Sequence, residues 1–489
     1  MRTNPHVLEV NAKIWFHQMK RDFGRSIVTL ADIPESYIVK LKSAGFDALW
    51  LMGVWKESLT SRQIARNDGP INDYLKKIVP NYTKEDVFGS PYSICSYNVD
   101  KYLGTNEDLL KFKAKLNENG IALILDFVGN HFSVDHPLTW QEPEMFISSK
   151  EDPGDSKLFY QNKNGVWIAH GKDPYFDPWT DSAQLNLFNP KTRQMLEDSL
   201  MQITPLCDGL RCDMVMLMLN NVHRDIWGKY LKFDTPNEEF WPGAIQKVKE
   251  KYPSFTFIAE VYWGLEAEIQ SLGFDFTYDK ILYDRLLFSN PTQIAAHLGA
   301  EHLYQKKTLR FIANHDEEVP LAAFGSKERS FAAAAVAYTL SGARLFTASQ
   351  LCGDKFRLPI QYQPLVRDVD IEVKTFYMKF LDIINHPCFH GGQWALKSAK
   401  SCDGQNLSYQ NILTWTWTQN TTCKVVVINY SAEQSRFRIC IDKLPKTENV
   451  FLKDEFTESL VSSSYGELKS KGLEIELAPY EFKIYSVDF

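Results

Sequence analysis

Residues 208–217 read DGLRCDMVML, with an arginine and an aspartate two apart where an apolar run ends. Residues two apart in a β-strand point to the same face, so Arg211 and Asp213 project side by side from the strand's carboxyl end. On either side of this stretch, short apolar runs alternate with helical patterns up to about residue 386. The candidate strands are VLEVNAKIWF (7–16), DALWLMGVW (47–55), IALILDFV (121–128) and CDGLRCDMV (207–215). They continue as FTFIAEVYW (255–263), FDFTYD (274–279), TLRFIAN (308–314) and ARLFTAS (343–349). Between them lie helical stretches such as 106–119, closed by Gly120, then 190–204 and 327–341. Near-continuous apolar strands alternating with helices imply a parallel sheet covered by helices. Eight such units predict an α/β fold, a (β/α)8 TIM barrel with insertions. A doubly wound open sheet is the alternative that strand counting leaves open.

Two stretches break the alternation. Residues 132–189 are rich in Asp, Pro, Gly, Trp and Phe, and a structureless loop of that size is improbable in a compact domain. The sequence therefore predicts a small subdomain inserted after strand three. From about residue 387 the texture turns to period-2 runs such as NILTWTWTQ and CKVVVINYS, which predict a C-terminal antiparallel β-sandwich. The expected organisation is a barrel over 1–131 and 190–386, an inserted subdomain over 132–189, and the β-domain over 387–489.

The chain has 489 residues, 44% of them apolar and 24% charged, which suits a globular protein with a large core. Its net charge of −7 and the lack of a Lys/Arg cluster interleaved with aromatics argue against nucleic acid as a partner. No run of 18 apolar residues suggests a membrane span, and the first residues lack the apolar core of a signal peptide. The eight cysteines are scattered, without a C-x-x-C pair, so neither a zinc ribbon nor a disulfide framework is expected. A soluble cytoplasmic protein with reduced thiols is the expectation, although export by a signal-less route would look the same. Oligomeric state is not legible.

The polar residues at strand ends carry the chemistry. In a barrel the carboxyl ends of the strands form the face where active sites sit. Strand three ends in DFVGNH, placing Asp126, Asn130 and His131 there. Strand four contributes Arg211 and Asp213, strand five Glu260, and strand seven Asn314, His315 and Asp316. An unpartnered buried carboxylate is costly, so polar groups at four strand ends call for a shared pocket. An arginine beside Asp213 is expected to lower its pKa, as suits a nucleophile. Glu260, in an apolar strand with less cationic surroundings, is expected to keep its proton. Glycoside hydrolysis needs such a set: one carboxylate attacks the anomeric carbon and a second, about 5–5.5 Å away in retaining enzymes, protonates the leaving oxygen.

Four motifs, DFVGNH (126–131), GLRCDMVML (209–217), EVYW (260–263) and FIANHD (311–316), resemble those of the α-amylase superfamily of glycoside hydrolases, in that family's order. The resemblance covers the barrel, the inserted subdomain and the C-terminal β-domain. It implies a retaining α-glycosidase acting on α-linked glucans or oligosaccharides and needing no organic cofactor. It also implies Asp213 as nucleophile, Glu260 as general acid/base and Asp316 as transition-state stabiliser. His131, Arg211 and His315 would bind the sugar, with Tyr92 in SPYSICSY as the platform beneath it. Asn130 resembles a calcium ligand in many relatives. A transglycosidase and a sucrose- or trehalose-active relative share the same triad; an inert binding member is the remaining alternative, although inert relatives commonly lose acidic residues and Asp213, Glu260 and Asp316 are all present.

The sequence departs from that pattern at several positions. Ser93 and Ser96 stand where the family often has acids, and the usual Asp-Leu-Asn reads Gln184-Leu185-Asn186. LMGVW lacks the usual proline, and TASQ replaces the common Gly-x-Glu after strand eight. These positions put substrate identity and calcium in question, and Asp135, Asp152, Asp155, Asp173, Asp177 and Asp181 are the acids offered by the insertion. Of Trp55, Trp140, Trp167, Trp179 and Trp263, each taken singly is expected to serve the core rather than a ligand.

Overall fold

The computed structural model describes residues 1–79, 81–362 and 368–489; residues 363–367, within the second barrel range expected from the sequence, lie outside the described residues. Eight strands close into a barrel: β1 (His6–Asn11), β2 (Ala48–Met52), β3 (Ala122–Val128), β4 (Gly209–Asp213), β5 (Thr256–Ala259), β6 (Phe276–Tyr278), β7 (Thr308–Arg310) and β8 (Ala343–Thr347). They follow one another around the barrel in chain order, all pairs are parallel, and β8 closes on β1. This is the (β/α)8 topology, and it excludes the open sheet.

Alternation along each strand sorts the side chains. Val7, Trp50, Ile124, Ile258, Tyr278, Leu309 and Leu345 fill the barrel interior. Their neighbours Leu8, Leu49, Leu123, Leu210 and Phe346 pack outward against the helices. Those helices include Asn106–Glu118 before β3, Pro190–Ile203 before β4, Phe240–Lys251 before β5 and Lys327–Tyr338 before β8. Local chemistry sets their starts. Thr105 and Asp108 form a reciprocal cap on the first, and Asn189 caps the second, with Pro190 in its first turn.

Each barrel strand is shorter than the apolar run that suggested it, and the first two show why. The run 7–16 stops at Asn11, whose side chain accepts from the amides of Lys13 and Ile14 and starts a helix, Ala12–Phe23. The run 47–55 stops at Met52, and Trp55–Glu57 instead pairs antiparallel with Ile94–Val99. That ribbon, with helices Leu59–Asn67 and Gly69–Ile78, forms an excursion between β2 and β3 that the sequence did not predict.

After β3 the chain leaves the barrel for a small subdomain. His131–Ser133 pairs with Ser182–Gln184, and a three-stranded sheet is built from Ser148–Ser149, Phe159–Gln161 and Trp167–Ala169. The C-terminal domain sets a six-stranded antiparallel sheet (393–397, 412–419, 422–429, 482–488, 449–454, 460–464) against a three-stranded one (399–400, 435–439, 473–477). A separate apolar core including Val425, Phe437, Ile475 and Tyr485 lies between them. Among the described residues, no helix is long and apolar enough to cross a membrane.

Candidate active site

Arg211 faces inward at the end of β4 and is 1% exposed. Its guanidinium reaches two carboxylates, Nη1 to Asp213 Oδ1 at 2.8 Å and Nη2 to Glu260 Oε2 at 2.8 Å. The Nε–H donates to Tyr278 Oη at 3.2 Å, and the rings of Trp50, Tyr92 and Tyr278 flank the cation. A buried cation is tolerated because it lies between two carboxylates and against three aromatic faces.

Glu260 lies one residue beyond β5. It accepts from the Met214 amide at 2.7 Å and from Tyr262 Oη at 2.7 Å. The Met214 amide points there because Met214 adopts a left-handed backbone (φ 44°), uncommon for a side-chain-bearing residue and typical of strain held at a working site. Burial pushes the Glu260 carboxyl up to about 7, and the like charges of Asp213 and Asp316 add to the rise against the pull of Arg211. Burial also raises Asp213, although Arg211 pulls it down. The expectation of a lone cation beside Asp213 is therefore corrected: the arginine serves both carboxylates, and burial outweighs it at each.

On the opposite wall, His315 is held between two carboxylates. Its Nδ1 lies 2.6 Å from Glu9 Oε1 and its Nε2 lies 3.0 Å from Asp316 Oδ2. Tyr92 Oη is 2.9 Å from Nε2, and its ring stacks on the imidazole at 5.3 Å between centroids. Asp316 itself is 45% exposed toward the cleft. Partial burial works against its ionisation, but the neighbouring His315 outweighs it and holds the carboxyl below its usual range.

His131 starts the segment after β3, buried against the Trp179 ring at 5.1 Å, and burial lowers its imidazole to about 4, leaving it neutral. Gly129 makes that exit passable, since a Cβ there would sit 2.6 Å from Met218 Sδ. Asp126 points inward from β3 and accepts from Trp50 Nε1 (3.1 Å) and the Gly53 amide (3.0 Å), a structural anchor whose carboxyl burial raises to about 6.

The structure thus brings Tyr92, His131, Asp213, Glu260, His315 and Asp316 to one cleft of about 730 Å³, with Arg211 beneath its floor. Trp179 and Trp263 also line it, correcting their assignment to the core, whereas Trp55 is buried and donates to Asp126 O at 2.7 Å. Reasoning from strand ends missed Glu9, Tyr262, Lys280, Asp173 and Phe176. Glu9 carried a readable signal, a charge inside the apolar run VLEVN. Tyr262 is two residues from Glu260 and shares its motif. Lys280 opens the helix Lys280–Phe288, and Asp173 and Phe176 lie on a loop without a periodic pattern.

The calcium expectation for Asn130 does not fit the residues present. Gln184 Nε2 donates to Asn130 O (3.0 Å), Asn130 Oδ1 (3.0 Å) and Leu185 O (3.1 Å), while its Oε1 lies 3.3 Å from Asn130 Nδ2. An amide donor therefore stands where a hard cation would need free oxygens. Of the acids from the insertion, Asp135 accepts from the Thr60 amide, Asp181 from Ser61 Oγ, and Asp173 from the amides of Tyr175 and Phe176. Among the described residues, no group of three or more His, Cys, Asp or Glu could hold a metal ion.

A closed parallel barrel with converging carboxylates at its carboxyl-terminal mouth defines the class, a (β/α)8 protein of glycoside-hydrolase type. The family model described as "Alpha amylase, catalytic domain" matches residues 36–279, from before β2 to the end of β6. Alpha-amylase MalA of Haloarcula japonica is 25% identical over 329 residues, covering 65% of this chain and 40% of that protein. Alpha-amylase 3 of Dictyoglomus thermophilum is 25% identical over 289 residues, covering 54% of each. The chain thus spans about half the length of these curated relatives. The maltogenic α-amylase AmyB of Thermotoga neapolitana superposes over 100% of this chain and 99% of its own, with a TM-score of 0.70 at 19% identity. The chain belongs to the α-amylase family.

Proposed function

We propose that this chain is a retaining α-glycosidase that hydrolyses α-linked glucans or oligosaccharides through a covalent glycosyl-enzyme intermediate. The observation that carries the reading is the pair of carboxylates, Asp213 and Glu260, held 2.8 Å from one buried guanidinium at the cleft floor, with Glu260 raised to about 7. In the first step an Asp213 oxygen bonds to the anomeric carbon, and the departing glycosidic oxygen takes the Glu260 proton. In the second, ionised Glu260 takes a proton from water, whose oxygen displaces Asp213 from the sugar. Asp316, kept anionic by His315, faces the positive charge that develops on the ring, and His131, His315 and Tyr92 hold the sugar at the cleavage point. Arg211, expected from the resemblance to bind sugar, is buried beneath the floor and holds the two carboxylates instead.

Calcium has no part in this mechanism, because Gln184 occupies the acceptors of Asn130. A cytoplasmic site of action suits a chain whose eight cysteines are scattered, with Cys440 exposed. The test is to incubate the protein and an Asp213→Asn variant with starch, glycogen, maltooligosaccharides, sucrose and trehalose, with and without a sugar acceptor. Shorter glucans from the unaltered protein alone support the proposal. Elongated or rearranged sugars move it to the transglycosidases, and equal turnover by both proteins sinks it.

A further inference from the structure

Glu9 sits where an apolar residue would be expected. Val7, Glu9 and Asn11 share the inner face of β1, while Leu8 and Val10 face the helices. In register, Glu9 lies between Trp50 of β2 and Thr347 of β8, at 3% exposure. Burying a carboxylate there is costly unless it is paired, and the partner it has is His315 Nδ1, 2.6 Å from Oε1. The other oxygen, Oε2, is buried without a hydrogen-bond partner. It belongs to a residue that lines a second cavity of about 100 Å³ behind the cleft, shared with Asn314 and His315. The mechanism proposed above leaves Glu9 unused.

We infer that Glu9 is a positioning residue that holds His315 as an imidazolium, so that its Nε2–H is always presented to Asp316 and the cleft. The inference rests on the reading of the cleft as a glycosidase site. Geometry supports it. A neutral imidazole carries one N–H and one bare nitrogen, and here each nitrogen meets a carboxylate oxygen, at 2.6 and 3.0 Å. A bare nitrogen facing either carboxylate would set lone pair against lone pair, so both nitrogens carry hydrogen. The Trp50 ring, edge-on at 5.6 Å, and Tyr92, stacked at 5.3 Å, then fix the ring plane.

The charged groups around it agree with that state. Glu9 faces it from β1 and Asp316 from its own loop. Asp126 of β3 feels its charge, and Tyr92 Oη approaches Nε2 from the excursion after β2. Arg357, the nearby cation, donates to the main-chain oxygen of His315 at 3.4 Å. Burial lowers the imidazole, and Asp316 and Glu9 together reverse this and raise it to about 10. Replacing the Glu9 charge by an amide of the same shape should lower the imidazole pKa by about 1–3 units, the usual effect of one close counter-charge.

The test is Glu9→Gln and Glu9→Asp in the full chain, with folding checked by circular dichroism. His315 is followed by nitrogen-15 NMR of the imidazole, assigned with a His315→Gln variant. In the unaltered protein the ring stays doubly protonated through pH 9, and in Glu9→Gln it loses a proton between about pH 7 and 9. Glu9→Asp keeps the charge and titrates nearer the original. The alkaline limb of kcat/KM on maltooligosaccharides, with a slope of one from Glu260 alone, steepens toward two in Glu9→Gln as His315 joins it. An unshifted imidazole in Glu9→Gln overturns the inference, and so does Glu9→Asp titrating like Glu9→Gln. If Glu9→Gln does not fold, Glu9→Asp decides through its own shift. If the imidazole shifts as stated but no variant or parent turns over any glucan, the glycosidase reading falls while the Glu9–His315 coupling stands.

Discussion

Glu260 keeps a proton near neutrality because burial costs its anion more than Arg211 returns, and that balance sets a pH dependence. The working acid is the protonated form, and its carboxyl is raised to about 7. In the proposed mechanism turnover therefore falls as pH rises through that value, with a slope of one in log kcat/KM, and falls again in acid as the Asp213 nucleophile takes up a proton. Glu260→Gln removes the proton donor. It should cost about 10²–10⁴-fold on ordinary glucosides and much less on α-glucosyl fluoride, whose leaving group needs no proton. A variant equally slow on both substrates would place Glu260 outside the proton transfer. Asp213→Asn removes the nucleophile and should cost at least about 10³-fold on both substrates, while titration calorimetry still detects oligosaccharide binding. Retention of even a tenth of the rate would return Asp213 to a structural salt bridge. The two residues share an arginine and yet should separate by substrate, because one gives a proton and the other a bond.

At the level of elements, the exit of β3 into the insertion is pinned by the paired amides of Asn130 and Gln184 rather than by an ion. Gln184 is fully buried, and removing its side chain strands the Leu185 carbonyl and the Asn130 amide, while the Asn130 carbonyl keeps the Leu185 amide. Gln184→Ala should cost about 2–3 kcal/mol, read as a drop of several degrees in the thermal midpoint. A calcium chelator should leave the midpoint of the unaltered protein unmoved; a fall reversed by added calcium would contradict this. The sequence made the barrel strands legible because both faces of each are buried, which writes them as unbroken apolar runs. Their ends were less legible. Asn11 caps a helix whose own first turns, AKIWF, are as apolar as the strand before it, so composition does not change at the boundary. The excursion after β2 was missed because its helices, Leu59–Asn67 and Gly69–Ile78, are short and bury only two residues each. Strand-end motifs pointed to Arg211, Asp213, Glu260 and Asp316, whereas the Glu9–His315 and Gln184–Asn130 pairs span 306 and 54 residues and become visible only once the barrel closes.

Across the whole molecule, the C-terminal domain is joined to the barrel by tryptophans rather than by a polar seam. Trp415 and Trp417 are fully buried, and both indole N–H groups donate to Thr339 O, at 3.1 and 2.6 Å. Thr339 closes the helix Lys327–Tyr338, whose run of small alanines lets the β-domain approach closely. Nearby, Arg344 of β8 donates to Phe389 O at 2.7 Å and lies within 6.0 Å of the Trp417 ring, and Tyr430 Oη donates to Leu286 O at 2.7 Å. The seam therefore touches both a barrel strand and its covering helix, and the two parts should unfold together. Trp417→Ala opens a cavity and loses one of the indole donors to Thr339, and should cost about 3–5 kcal/mol. Phe451→Ala, on the outer face of the same sheet and 56% exposed, should cost no more than about 0.5 kcal/mol. Scanning calorimetry checks both, and its line shape carries more than the midpoint. One cooperative peak in the unaltered protein that falls as a unit in Trp417→Ala means the β-domain holds the helix before β8 in place. A peak that splits in the parent protein, with only the smaller part shifting in the variant, would mean that the barrel stands without it and that the seam serves only to keep the second domain attached.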